Sequence, residues 1–197
     1  MNRRERKKEE TRSSIIDTAV PLFKEKGFNQ TSMEEIAEKS DVSKGTLYNY
    51  FPDKESILVG YFQSTIVNYG IGIKEAIADC EDLKTKLYSL LDFNKIIMEK
   101  DKELSTVYLR YRMQTLFSSD PLDNPNRSGF ENIMLEIISE AQDKREIRSD
   151  IPAIIITRTF QLLTVNYFLS NINVKEPIEM DVLKSQLIEL FLNGTKL

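Results

Sequence analysis

The chain has 197 residues, of which 41% are apolar and 29% charged, with only seven glycines and six prolines. Such a chain can bury a sizeable core in one domain or in a small domain plus a larger one, and its composition indicates a soluble helical protein rather than a disordered one. It has no histidine, a single cysteine and no glycine-rich phosphate loop, which argues against an enzyme. We expect neither a metal nor a cofactor.

The net charge is −4, but the charge is unevenly distributed. Residues 1–12 carry six cations against three glutamates, whereas residues 55–197 are acidic. This basic arm fits a local contact with DNA and fits a disordered solubilising tail equally well. The sequence shows no secretory signal and no membrane-spanning run, so we expect a cytoplasmic protein without a membrane partner.

Three helices are predicted at the amino-terminal end. Residues 11–26 have the apolar spacing of an amphipathic helix that stops at Gly27 and is bent at Pro21. Thr31 or Ser32 can cap a second helix, with a glutamate three positions later completing a capping box, and this helix ends near residue 40. Ser43 then caps a short helix over residues 44–50. Together they predict a tri-helical helix-turn-helix domain at residues 1–51.

The remaining residues, 52–197, predict a second, helical domain. A fourth helix runs from Glu55 toward Ala78 and is weakened at Gly70 and Gly72. Further helices are predicted at residues 83–99, 103–118, 128–146, 152–171 and 179–193. Proline-containing breaks at residues 118–126 and 171–177 separate some of them. The predicted fold is therefore all-α with about nine helices.

Several ordered motifs resemble one known family. They are Gly27-Phe28, residues 31–37 (TSMEEIA), residues 42–51 (VSKGTLYNYF) and Lys54-Glu55, which resemble the TetR family of bacterial repressors. The resemblance covers roughly the first 60 residues with specific motifs. It implies a repressor that binds a palindromic double-stranded DNA operator as a homodimer and is released by an unidentified small-molecule effector through helix 4. The second domain would then bind the ligand and dimerise.

The resemblance also implies which residues contact DNA. Lys44 and Gly45 would lie nearest the base edges, Thr46 would touch a thymine methyl or a phosphate, and the others would contact mainly phosphates. The alternative is that Tyr48 and Tyr50 are half-buried packing residues and that Lys44 is an ordinary solvated lysine. The predicted DNA-binding residues are Thr31, Ser32, Ser43, Lys44, Gly45, Thr46, Tyr48, Asn49, Tyr50 and Lys54.

Two helices of the second domain supply candidates for a ligand site and a dimer interface. The polar candidates for a pocket are Tyr108, Tyr111, Arg112, Gln114, Arg158, Gln161 and Asn166, although a solvent-facing position or an interface hydrogen bond would account for each more simply. The helix over residues 152–171 is apolar nearly all round, so it lies in a monomer core or pairs with the last helix in a dimeric four-helix bundle. The interface candidates are Phe160, Leu163, Leu183, Leu187, Leu190 and Phe191.

A rival hypothesis is a helical adaptor or peptide-binding module that has lost DNA binding. Such a protein would present apolar grooves without salt-dependent affinity for DNA.

Overall fold

The computed structural model describes residues 2–115, 129–173 and 179–195, and within these residues it contains nine α-helices and no strand. In chain order the helices are α1 (Arg3–Lys26), α2 (Met33–Lys39), α3 (Lys44–Tyr50), α4 (Lys54–Ala78), α5 (Leu83–Glu99), α6 (Lys102–Thr115), α7 (Phe130–Asp143), α8 (Ala153–Asn173) and α9 (Met180–Thr195). The all-α prediction is confirmed. The predicted break at residues 118–126 lies outside the described residues, as do residues 174–177 of the other break.

Helix α1 begins at Arg3 rather than at Thr11, because its first turn is capped from both sides. The Asn2 Oδ1 accepts from the Glu5 amide, and the Glu5 Oε2 accepts from the Asn2 amide, each at 2.9 Å. The arm is also rich in arginine, lysine and glutamate, which favour helix. The alternative of a disordered tail is therefore wrong for residues 3–10. Pro21 lies within one uninterrupted helix.

Hydroxyl caps set the starts of α2 and α3. The Ser32 Oγ accepts from the Glu35 amide and the Ser43 Oγ accepts from the Thr46 amide, both at 3.1 Å. Ser32, not Thr31, is therefore the α2 cap. Between the two helices Asp41 adopts a φ of 55°, a left-handed conformation that aspartate tolerates better than most residues.

Helix α4 packs closely against α1 and the end of α3 at Gly60. A Cβ placed there would lie 2.9 Å from the Arg12 Nη2, 3.0 Å from the Ile16 Cδ1 and 3.2 Å from the Phe51 Cε1. Only glycine allows this approach without displacement of a neighbour. The helix continues without interruption through Gly70.

The chain divides into two compact units, and α6 belongs to the first with the amino-terminal helices. This unit contains residues 2–65 and 101–115 of the described chain. The Lys24 Nζ pairs with the Asp101 Oδ2 at 2.8 Å just before α6, which raises the pKa of Lys24 mainly through the hydrogen bond. The Tyr108 ring stacks on Phe62 with centroids 4.2 Å apart. The proposed functional division after residue 51 stays a prediction.

The second unit contains the remaining described residues and is a helical bundle. Helix α7 packs against α8, α8 against α9, and α5 against both α7 and α9. The Phe160 and Phe191 rings meet inside it with centroids 4.9 Å apart. The Gln142 amide donates to the carbonyls of Arg148 and Ile151, both at 2.8 Å, and so fixes the turn before α8.

None of the described helices combines the length and the apolar character needed to span a membrane.

Candidate nucleic-acid interface and effector site

Helix α3 is held by two buried anchors and leaves its other side open. Leu47 is fully buried, and Phe51, its carboxyl-terminal cap, is nearly so. The helix packs against α2, which in turn packs against α1. Because both anchors are buried, the orientation of this short helix is set by the core.

The open side of α3 presents four of the residues predicted to bind DNA. Lys44, Gly45, Tyr48 and Asn49 are all exposed, and Tyr48 keeps 47% of its surface accessible. The Lys44 Nζ lies 3.3 Å from the Glu34 Oε1. The pKa of the Glu34 carboxyl is lowered, first by a hydrogen bond from its own backbone amide and then by Lys44. The described structure therefore already holds the Lys44 ammonium near an anionic oxygen. We call these four residues the α3 face.

Among the neighbouring predicted residues, Thr46 and Tyr50 are half-buried, whereas Ser32 and Ser43 are exposed. The Ser43 and Thr46 hydroxyl oxygens lie 2.8 Å apart, so these two side chains contact each other as well as capping α3. Tyr50 is half-buried, in agreement with the packing role considered for it. Ser32 is exposed at the start of α2. Their contacts with DNA stay predictions.

Lys54 connects the start of α4 to the loop after α1. Its Nζ donates to the Phe28 carbonyl at 2.7 Å and to the Asn29 carbonyl at 3.4 Å, and lies 4.8 Å from the centre of the Phe28 ring. An ammonium group has three hydrogens, so at most one remains for a phosphate.

Thr31 requires a correction. It is 1% exposed, and its hydroxyl lies 3.2 Å from the Leu22 carbonyl and 3.1 Å from the Gly27 carbonyl. The hydroxyl stabilises the end of α1 from inside the protein. The prediction that this side chain binds DNA is therefore wrong, because a buried side chain cannot reach a phosphate.

The ligand candidates on α6 belong to the first unit. Tyr108 is buried in its stack on Phe62, Tyr111 and Arg112 are half-buried, and Gln114 is exposed. The pKa of Tyr111 is raised, first by burial and then by two carboxylates near the start of α4. Their role as ligand contacts stays a prediction.

The ligand candidates on α8 belong to the second unit and are not its most buried polar groups. Arg158 and Gln161 are half-buried and Asn166 is exposed. Two residues that the sequence argument passed over are buried instead: the Thr157 Oγ1 and the Tyr167 hydroxyl have no hydrogen-bond partner within the described chain. Such buried, unpaired hydroxyls are uncommon in folded proteins and mark a place that a ligand atom could occupy.

The dimer candidates divide between core and surface. Phe160 and Phe191 are buried against each other in the protomer, so their assignment to an interface is wrong. Leu190 is 65% exposed. The remaining candidates, Leu163, Leu183 and Leu187, are half-buried.

Three apolar side chains on these two helices that were not predicted are exposed as well as Leu190. They are Ile155 and Leu162 on α8, seven residues apart, and Val182 on α9, eight residues before Leu190. Residues seven or eight apart lie on the same side of a helix. The apolar pattern alone could not identify them, because α8 is apolar nearly all round.

Comparison with known proteins decides the family. The family model for "Bacterial regulatory proteins, tetR family" matches residues 15–60, from within α1 to within α4. The chain is also 30% identical over 135 residues to the "Fatty acid metabolism regulator protein" of Bacillus subtilis (strain 168), covering 68% of this chain and 69% of that protein. The chain belongs to the TetR family.

Two solved structures share the fold of this TetR-family chain. The Thermus thermophilus FadR repressor in complex with lauroyl-CoA superimposes with a TM-score of 0.74 at 21% identity, covering 94% of this chain and 95% of that one. The Bacillus subtilis FadR regulator in complex with stearoyl-CoA gives a TM-score of 0.64 at 22% identity, covering 92% and 98%. At this identity the two structures establish the fold alone.

Membership of the TetR family makes the chain a DNA-binding transcriptional regulator rather than an enzyme. The matched residues include α2 and α3, so the family match and the α3 face fall on the same part of the regulator. The rival adaptor hypothesis has no such support.

Proposed function

We propose that this regulator represses transcription by binding a near-palindromic operator as a homodimer, with the α3 face of each protomer in a major groove. The observation that carries the proposal is the contrast within α3, where Leu47 is buried while Lys44, Gly45, Tyr48 and Asn49 are exposed. Lysine can donate to guanine acceptors, and glycine permits a close backbone approach. Because its partner is DNA, we place the regulator in the cytoplasm.

A two-fold dimer would present two such faces to successive major grooves, about 34–36 Å apart on one side of the duplex. The surface that we propose for this dimer is the exposed apolar side of α8 and α9, formed by Ile155, Leu162, Val182 and Leu190. Large exposed side chains on two adjacent helices favour pairing with the same surface of a second copy. These four residues take the place of Phe160 and Phe191 in the predicted interface, because exposed side chains can reach a partner and the two buried phenylalanines cannot.

The effector class that we propose is a fatty acyl-CoA thioester. A relative named as a regulator of fatty acid metabolism and two structural neighbours bound to lauroyl-CoA and stearoyl-CoA support this class. The unpaired hydroxyls of Thr157 and Tyr167 lie ten residues apart on α8, so each offers a donor to a different polar atom of such a ligand. An effector that binds more tightly to a conformer unsuited to the operator would release DNA by a population shift.

The DNA contact is tested by titrating the protein with a duplex from its own upstream region. Lys44→Ala and Tyr48→Phe should each weaken binding, by about 1–3 kcal/mol if a base contact is lost. Lys39→Ala is the matched control, since it removes an exposed lysine at the end of α2 that lies outside the α3 face. Equal losses of DNA affinity in Lys44→Ala and Lys39→Ala would show that only net charge matters. That result would overturn the assignment of Lys44 to the DNA contact.

The dimer surface is tested by measuring the size of the protein in solution. Leu190→Glu should dissociate the dimer, because it would bury a carboxylate at the interface while leaving the protomer core untouched. Gln30→Glu introduces the same charge at an exposed position between α1 and α2, outside α8 and α9, and should remain dimeric. A Leu190→Glu variant that stays dimeric would place the interface elsewhere.

The effector is tested by thermal unfolding with lauroyl-CoA or stearoyl-CoA, and with coenzyme A alone. A ligand at one hundred times its Kd should stabilise the native protein by about 2.7 kcal/mol. Tyr167→Phe should leave the unliganded protein equally or more stable, because it removes an unpaired buried hydroxyl, and should reduce the shift caused by acyl-CoA. Thr164→Val is the control, since that hydroxyl already donates to the Phe160 carbonyl at 2.9 Å. Absence of any shift with either acyl-CoA would refute this effector class.

A further inference from the structure

The first turns of α1 separate their charges into two faces, although the sequence alternates them. At about 100° per residue, Arg3, Arg4, Lys7 and Lys8 fall within an arc of about 140°, and the glutamates lie outside it. All four cations are exposed. We call these four residues the basic stripe.

Each glutamate of the arm is matched by a partner that does not belong to the basic stripe. The Glu5 carboxylate accepts from the Asn2 amide. The Glu9 Oε1 lies 3.7 Å from the Arg12 Nη1, and the Glu10 Oε1 lies 3.4 Å from the Arg6 Nε.

The basic stripe is consequently left uncompensated. Within the part of the chain that the structure describes, none of its four cations forms an ion pair. The three glutamates of the arm are thus occupied locally, and the positive charge is presented on one side of the helix.

The stripe is carried by a helix whose other end is fixed in the protein. Ile15, Ile16 and Ala19 are buried in the same helix. The Arg12 Nη2 donates to the Gln63 Oε1 on α4 at 2.9 Å. The stripe therefore projects from the same helix that braces α2, and the unit bearing the α3 face holds it in a set direction.

We propose that the basic stripe is a second DNA contact of this regulator, which binds backbone phosphates beside the site read by the α3 face. Charge complementarity favours this partner, because four unpaired cations meet an evenly charged polyanion and the rest of the protein is acidic. A membrane surface is a poorer partner, because residues 2–14 contain no apolar side chain to insert. The proposal rests on the DNA-binding function of the chain and adds a surface outside α2 and α3.

The test is the salt dependence of DNA binding by the full chain, on its upstream duplex and on a random duplex of equal length. Each phosphate contact contributes about 0.9 to the slope of log K against log salt, so four contacts per bound protomer contribute about 3.6. The variant carrying R3Q, R4Q, K7Q and K8Q should have a slope shallower by up to that amount. Over a fourfold rise in salt, the wild type should lose up to about 150-fold more affinity than this variant for each bound protomer. Glutamine preserves the helical propensity of the arm, which circular dichroism verifies.

Arg4→Gln and Arg6→Gln form the matched pair, because they remove the same charge from the basic stripe and from the opposite face. Arg4→Gln should reduce the slope and weaken both duplexes equally, as expected for phosphate contacts, whereas Arg6→Gln should leave both quantities nearly unchanged. Equal effects of the two substitutions would indicate net charge alone and overturn the proposal, as would an unchanged slope in the fourfold variant. If the wild type binds the random duplex as tightly as its upstream region, the proposal of a specific operator fails. The salt slopes of the variants still test the basic stripe in that case.

Discussion

Gly60 offers a sharp test of how the DNA-binding helices are held, because an added methyl group there has no room. The Gly60→Ala methyl would lie 2.9–3.2 Å from atoms of Arg12, Ile16 and Phe51. Arg12 can swing away, but it would then lose its 2.9 Å hydrogen bond to Gln63. The other two side chains are buried and cannot move without shifting α1 or the end of α3.

The magnitude follows from three opposing effects. Alanine gains about 1 kcal/mol over glycine in helix propensity. Overpacking costs about 1–3 kcal/mol, and the lost hydrogen bond costs about 1 kcal/mol. We therefore expect Gly60→Ala to lower the free energy of unfolding by about 1–3 kcal/mol, which corresponds to about 2–4 °C in Tm per kcal/mol for a chain of this size.

The same helix supplies the control. A Cβ at Gly72 would meet nothing within 4 Å, and that residue is exposed, so Gly72→Ala should stabilise the protein by about 0.5–1 kcal/mol. The Tm values of the two variants would be compared by thermal unfolding monitored with far-ultraviolet circular dichroism. The reasoning is refuted if Gly60→Ala raises Tm as much as Gly72→Ala does.

Substitutions at three further positions, Thr31, Glu140 and Asp101, test hydrogen bonds and ion pairs of individual side chains. Thr31→Val should lower the free energy of unfolding by about 1–3 kcal/mol, measured by urea denaturation, whereas Thr31→Ser should recover most of the loss if the hydroxyl matters. Hydrogen bonds from Lys144 and Lys86 lower the pKa of Glu140 from an ordinary 4.5 to about 2. The stabilisation that Glu140 contributes is therefore complete above pH 4.5 and is lost as the pH falls toward 2. Because Glu140 is largely exposed, Glu140→Gln should cost only about 0.2–1 kcal/mol at neutral pH, and a cost that persists at pH 2 would contradict this origin. Asp101→Asn should destabilise the protein by about 1 kcal/mol through loss of the Lys24 pair, with little effect in a Lys24→Gln background.

The helix-turn-helix could be predicted from the sequence because its determinants are local. The hydroxyl of Ser43 caps α3 four residues before the buried Leu47, and the acidic turn at Asp41 follows the end of α2. Such signals act over one or two helical turns, so no distant residue is needed to recognise them. The later helices were also predicted closely, since their polar and proline-containing breaks are equally local.

The function of individual side chains could not be predicted as well, because helical periodicity does not say what covers each face. Thr31 looked like an exposed cap and is a buried donor to the end of α1. Phe160 and Phe191 looked available to a partner and pack against each other. Tyr167 was overlooked, since nothing in its neighbours along the chain indicates that its hydroxyl would lack a partner.

By itself the sequence determined the order and type of the helices, the α3 face through its motif, and the family to which the regulator belongs. The tertiary structure alone decided that Gly60 is a point of close approach, that the arm continues α1, and that its charges separate into a basic stripe and a compensated face. The physical reason is the distance along the chain over which each kind of interaction acts. Caps and breaks act between near neighbours in the chain, whereas burial and side-chain partners depend on which helices meet in space.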